Sequence, residues 1–136
     1  MVSHLPFKWN VRIYFEDTDS GGVVYHSNYL KFMERARTEW LRSLNLNQAD
    51  LKKKDKIMFV VANVNIDYKK AARFNDELDI ETSLDKIGAS RIDLNQNIMK
   101  NSDLYTSAKV SIACIHSETF KPQRIPKLIK QQMEIL

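Results

Sequence analysis

The stretch EDTDSGGVVYHSNY, Glu16 to Tyr29, sets an acidic loop, the pair Gly21 and Gly22, and a histidine directly before the strongest helical pattern in the chain. From Ser27 onward Tyr29, Met33, Ala36, Trp40 and Leu44 recur at steps of three or four, and Leu30, Phe32 and Leu41 widen the stripe. This spacing predicts a helix from Ser27 to Leu44 that is buried over much of its surface. Upstream, Val11, Ile13 and Phe15 alternate with Arg12 and Tyr14, so a strand is predicted to deliver the chain to Asp17, Thr18 and Asp19. The two glycines then free the backbone for a tight turn.

Beyond the helix, Asn45 to Asn47 break the periodicity, and a short second helix is predicted from Gln48 to about Lys53. The pattern then changes to period two. Met58 to Val61 is continuously apolar, and Ala62, Val64, Ile66 and Tyr68 alternate with Asn63, Asn65 and Asp67. Leu78, Ile80, Thr82 and Leu84 mark a second run, Ile92, Leu94 and Ile98 a third, and Ala108, Val110, Ile112 and Cys114 a fourth. Gly88 and Asn101 to Asp103 separate these runs as in an antiparallel meander. Pro122 and Pro126 punctuate the end, where Leu128, Ile129 and Met133 suggest a short surface helix. Strand, long helix, four strands is an α+β order with no βαβ alternation. A sheet with one apolar face must be covered, and only the helix from Ser27 to Leu44 is long enough. The expected architecture is a curved antiparallel sheet wrapped around one helix in a single domain, 1–136, although order and composition alone do not separate this from other α+β folds.

The first turn of a helix leaves N–H groups unpartnered and carries partial positive charge, so it can hold a developing oxyanion. A carboxylate beside it could attack a polarised carbonyl or activate water. The same residues also fit a plain reading in which Asp17 and Asp19 form Asx turns, His26 or Ser27 caps the helix, and nothing is catalysed.

The run VRIYFEDTDSGGVVYHSNYLKFMERARTEWLR, Val11 to Arg42, resembles the signature of the YbgC-like acyl-CoA thioesterases, a branch of the 4-hydroxybenzoyl-CoA thioesterase superfamily with the hotdog fold. The likeness continues less specifically through FVVANVNIDYKKAARFNDELDIET, Phe59 to Thr82. It implies hydrolysis of an acyl-CoA thioester at the junction of loop and helix, with Asp19 as the catalytic carboxylate and backbone N–H groups near His26 polarising the carbonyl. Asp17 is expected to brace the loop, Tyr25 and Asn28 to shape the pocket, and Tyr29 to belong to the helix core. Glu34 is the weaker alternative catalyst, because some hotdog enzymes carry their carboxylate on the helix. A reading of a different class is a noncatalytic module that binds an acyl thioester or an acyl carrier protein. Related dehydratases centre on a histidine motif that this loop does not resemble.

At 136 residues, with 43% hydrophobic and 28% charged residues, the composition is that of a soluble globular domain. No apolar run approaches the roughly 20 residues of a membrane span. No secretory signal is read at the N-terminus, and the expected location is the cytoplasm. Cys114, the only cysteine, excludes an intrachain disulfide and sits in a strand pattern as a core residue. His4, His26 and His116 lack ligand spacing, so no metal is expected, and no cofactor beyond the coenzyme A carried by the substrate.

The net charge of +4 is uneven, with basic clusters at Lys52, Lys53, Lys54 and Lys56, at Lys69, Lys70 and Arg73, and at Lys121, Arg124, Lys127 and Lys130. Solvated surface is the expected role of the first. The second follows a strand end and is a candidate contact for coenzyme A phosphates. Nucleic acid is not an expected partner, since no stacking-aromatic motif interleaves the basic residues. A homo-oligomer, dimer or tetramer, is expected, with sites between subunits and sheets joined edge to edge.

Overall fold

The computed structural model describes residues 6–134. Five strands, β1 (Phe7–Arg12), β2 (Ile57–Tyr68), β3 (Glu77–Ile87), β4 (Arg91–Lys100) and β5 (Asp103–His116), form one antiparallel sheet in the order β1-β3-β4-β5-β2. The long helix α1 (His26–Ser43) lies on one face. The period-two patterns explain which face: Leu78, Ile80 and Thr82 on β3, Ile92, Leu94, Gln96 and Ile98 on β4, and Thr106, Ala108, Val110, Ile112 and Cys114 on β5 are all buried. Tyr29, Phe32, Met33, Ala36, Trp40 and Leu41 of α1 meet them. Burying a large apolar side chain contributes about 1.5 to 3 kcal/mol, so this seam is the main source of stability.

Three local readings are corrected. The first strand ends at Arg12, and Phe15–Asp17 is a 3₁₀ turn in place of strand. The Asp17 Oδ2 accepts the Tyr14 amide at 2.9 Å and Thr18 Oγ1 donates to the Phe15 carbonyl at 2.8 Å, offering the backbone partners that the sheet would otherwise supply. Phe15 is therefore 75% exposed and stacks on Phe74 with ring centroids 4.4 Å apart. Leu30 stands on the outer edge of α1, 44% exposed. The second helix is α-helical only over Gln48–Asp50 (α2), capped by Asn47 Oδ1 on the Ala49 amide at 2.8 Å, and continues as a π-helix over Leu51–Asp55, past the expected end near Lys53. Asn45 ends α1 region with φ 61°, and the terminal helix α3 (Lys127–Glu134) seats Ile129 and Met133 in the core.

One polar clamp fixes α1 to the sheet. The fully buried Gln96 donates Nε2 to the Met33 carbonyl at 3.0 Å and to Thr82 Oγ1 at 2.9 Å, while its Oε1 accepts from Arg37 at 3.0 Å. Burial pushes the Arg37 guanidinium below its ordinary pKa, with nearby Glu34 opposing the shift. Replacing Gln96 with Leu should cost about 2 to 3 kcal/mol, because Arg37 and Thr82 lose a buried partner. Urea unfolding at constant m would measure it, and an unchanged midpoint would show the clamp to be dispensable.

Candidate active site

The loop Asp17 to Tyr25 is a small hairpin held almost wholly by backbone. Thr18 and Val24 form an antiparallel bridge, the Asp19 amide donates to the Val23 carbonyl at 2.9 Å, and the Gly22 amide donates to the Asp19 carbonyl at 3.0 Å. Gly22 has φ 81°, a conformation that side-chain-bearing residues disfavour. Gly21 donates its amide to Asp19 Oδ1 at 2.8 Å, and a Cβ there would lie 3.2 Å from the same oxygen. A second link joins the hairpin to the segment after β2, through the Val24 amide on the Ala72 carbonyl at 2.8 Å and a bridge between Val23 and Arg73.

At the start of α1 the Tyr25 amide donates to the Asp17 carbonyl at 3.0 Å and the Asn28 amide to the Tyr25 carbonyl at 2.9 Å. Tyr25 is the N-cap residue and its side chain caps nothing. Among the described residues no acceptor outside the helix meets the His26 or Ser27 amide, and no acid lies in the first turn. The positive end of α1 is thus open, as an oxyanion site requires.

His26, Lys69 and Lys70 come together around a cavity of about 150 Å³, with Val23, Tyr29 and Tyr68 among its walls. The His26 and Tyr68 rings are 4.9 Å apart, Tyr68 meets Tyr29 edge-on at 5.4 Å, and the Tyr29 hydroxyl accepts the Ala72 amide at 3.1 Å. Burial raises the Tyr29 pKa, and the Ala72 hydrogen bond partly opposes it. Tyr29 is therefore both core and wall. Tyr68 was not among the residues expected here, although its place at the end of a strand and beside Lys69 is the signal that would have found it.

The other expected residues lie outside this cavity. Asp19 and Tyr25 are exposed on the hairpin and at the helix start. Asn28 is buried and gives its amide to the Asp17 carbonyl at 2.8 Å, which makes it a brace between hairpin and helix. Arg73 is exposed one turn of loop further on. Lys69 pairs with Asp67 at 3.0 Å, and Lys70 faces Asp103 at 3.7 Å and the Tyr105 ring at 5.8 Å. Glu34 lines a separate cavity of about 200 Å³ farther along α1 and accepts the Thr38 hydroxyl at 2.9 Å. Among the described residues no cluster of His, Cys, Asp and Glu could hold a metal. Cys114 is buried in the sheet, its thiol pushed up to about 11 by burial.

Residues 13–133 match the family profile described as the thioesterase-like superfamily. The chain belongs to this family. It is 44% identical over 124 residues to the acyl-CoA thioesterase YbgC of Haemophilus influenzae, covering 91% of this chain and 91% of that protein. It is 39% identical to the acyl-CoA thioester hydrolase YbgC of Escherichia coli O157:H7, covering 90% and 92%. The crystal structure of a probable thioesterase from Bartonella henselae superposes with a TM-score of 0.85 at 35% identity, covering 89% of this chain and 99% of that one. The hotdog arrangement of a five-stranded sheet and one long helix is that of these thioesterases.

Asp76 anchors the far side of the segment that backs the cavity. Its Oδ1 accepts from Lys100 at 3.0 Å, its Oδ2 from the Arg73 amide at 2.9 Å, and its carbonyl from the Ile13 amide at 2.9 Å. The hydrogen bond and charge of Asp76 raise the Lys100 pKa above its ordinary 10.5. A cation whose folded pKa is raised stabilises fully below its unfolded pKa and loses that contribution as pH rises through the folded one. Lys100→Met should therefore lower Tm at neutral pH, and the gap to wild type should close only above about pH 10.5, as thermal melts across pH 7 to 12 would show. A second outcome concerns Cys114: at pH 8 its neutral, buried thiol should react with a disulfide reagent far more slowly in the native protein than in denaturant.

Proposed function

We propose that this chain hydrolyses an acyl-CoA thioester to the free carboxylic acid and coenzyme A. The observation that carries the reading is the open N-terminus of α1, where the His26 and Ser27 amides meet no acceptor among the described residues, directly behind a glycine-supported loop that presents Asp19. The names of the relatives agree with it. In this mechanism the thioester carbonyl sits at the helix start, where its developing negative charge meets N–H groups and the helix dipole. Asp19 attacks the carbonyl carbon to give an acyl anhydride, which water then opens, or it takes a proton from the attacking water directly. Coenzyme A leaves as thiolate, so no strong general acid is needed. His26 lies against Tyr68 and helps to orient substrate or water at the mouth of the cavity. Lys69 and Lys70 line the cavity, Arg73 is exposed on the segment that follows, and the three suit the phosphates of coenzyme A.

Two features give Asp17 and Asp19 different jobs. The Asp17 carboxylate is committed to the Tyr14 amide and its carbonyl to Tyr25 and Asn28, so Asp17 braces. Asp19 uses one oxygen on Gly21 and is otherwise exposed, so the second oxygen is available for chemistry. The site is open in a single chain, and β2 is a sheet edge of 12 residues bearing the half-exposed Val61 and Tyr68. A second copy paired along that edge would remove the unpaired backbone and add a wall, which supports a homodimer or larger assembly with sites between subunits.

Asp19→Asn should lower kcat for acyl-CoA hydrolysis by at least about a hundredfold with little change in KM. Asp17→Asn should instead lose Tm, and His26→Ala should be milder because its amide survives. Free-thiol release from a panel of acyl-CoAs and acyl carrier proteins measures all three. Wild-type protein inactive on the whole panel would favour the binding-module reading, and an active Asp19→Asn beside a dead Glu34 variant would move the carboxylate to α1. Reversing charge at Lys69, Lys70 and Arg73 should raise KM far more than it lowers kcat, increasingly so at low salt.

A further inference from the structure

The basic segments that the site does not use meet at one pole of the molecule. The start of β2 pairs with the end of β5, Ile57 opposite His116, and the Ser117 amide donates to the Lys56 carbonyl at 2.8 Å. This brings residues 50–56 beside residues 116–134, about 60 positions apart in sequence. Gln132 closes the same end by donating to the Leu44 carbonyl at 3.1 Å, and the Ile125 amide donates to the Ala89 carbonyl at 2.8 Å. Together the two segments hold eight Lys and Arg against four Asp and Glu, a surplus equal to the net charge of +4 of the whole chain. The charges of the rest of the chain balance, and Lys52, Lys53, Lys54, Lys56, Lys121, Arg124 and Lys127 are exposed in the two segments.

Large apolar side chains stand among these cations. Phe120 is 65% exposed and Leu128 is 75% exposed. Phe120 also has φ 60°, the left-handed region that a phenylalanine adopts only at a cost. The turn that holds it there is well built: His116 Nδ1 accepts the Glu118 amide at 3.1 Å and the Thr119 amide at 3.3 Å, and the Phe120 amide donates to the His116 carbonyl at 2.9 Å. Folding gains nothing from an exposed aromatic ring in that conformation, where Asn or Gly would sit more easily.

We propose that this pole is a peripheral docking surface for an anionic lipid bilayer, with Phe120 entering the headgroup layer and the two basic segments lying over acidic headgroups. Clustered Lys and Arg are attracted to such a surface, and an apolar side chain inserted among them adds a salt-independent part. An acidic carrier protein fits the charge, but a folded carrier offers the projecting ring of Phe120 no apolar layer to enter, as a bilayer does. Within one chain the pole lies at the Ile57 end of β2 and the cavity at the Tyr68 end, and the proposal does not depend on thioester hydrolysis.

Flotation of the full chain with vesicles tests it. Wild type should float with phosphatidylcholine vesicles containing roughly 30% phosphatidylglycerol, and not with phosphatidylcholine alone, with binding that weakens as salt rises. The variant combining Lys53→Glu, Lys54→Glu, Arg124→Glu and Lys127→Glu should lose flotation while melting as a folded protein. Phe120→Asn removes the ring and relieves the backbone, so its Tm should equal or exceed wild type while vesicle affinity falls about tenfold. No flotation of wild type on anionic vesicles at low salt would overturn the proposal. So would flotation of the charge-reversed variant, undiminished binding by Phe120→Asn, or capture of an acidic carrier protein with no vesicle binding.

Discussion

The burial of one face of α1 against one face of the sheet is the constraint on which the rest depends. Trp40, Phe32 and Met33 are almost wholly removed from water, and they can be so only if β3, β4 and β5 present Ile80, Leu94, Ile98 and Val110 in register beneath them. A slip of one residue in any strand would turn its apolar set outward, so the helix fixes the register as much as the turns do. Gln96 adds direction to a contact that apolar packing leaves free to slide, because its three hydrogen bonds tie the Met33 carbonyl, Arg37 and Thr82 to one point on β4. With the axis of α1 fixed, the location of its N-terminus follows, and with it the place where an anionic centre could be stabilised.

The hairpin Asp17 to Tyr25 is a consequence of that placement. It is fastened to α1 by Asn28 and to the segment after β2 by Val24, so the loop bearing Asp19 is located by contacts to two elements that the core already holds. Few of these contacts use the side chains proposed for chemistry. Asp19 can therefore be exposed, and His26 can sit on a helix start with no cap, without loosening the fold. Local rules of good helix design are broken at this one N-terminus, where a Ser or Asp cap and an acidic first turn would have been more stable.

Much of this was legible in the residues. The period-two runs through Ile80, Leu94 and Val110 and the three-four spacing of Met33, Ala36 and Trp40 are long enough that alternation alone specifies strand, helix and buried face. The α+β order followed, and the Val11 to Arg42 run pointed to the family. Short-range competition was harder to read. Phe15 belongs to an apolar alternation by pattern, yet the Asp17 carboxylate captures the Tyr14 amide and ends the strand before it. Asn28, expected in the pocket, instead braces the Asp17 carbonyl, and Tyr68, for which no site role was expected, lines the cavity with His26, because which side chain reaches it depends on how β2 meets the start of α1, a contact between residues some 40 positions apart.

Charge placement is the property least visible in a linear reading, because Lys52 to Lys56 and Lys121 to Lys130 are ordinary solvated clusters until the pairing of Ile57 with His116 joins them. The same antiparallel pairing carries Tyr68 to the opposite end of β2, beside the start of α1. Within one chain this strand thus separates two electrostatically different ends: a basic pole, and a cavity end where Lys69 and Lys70 are each met by an acid, Asp67 and Asp103. Cations that are already paired meet an anion only by exchanging partners, which favours weak, reversible binding. At the far pole Lys56 alone meets an acid among the described residues, Glu118 at 4.0 Å, so the other cations there hold what they meet by charge until salt or a competing cation releases it.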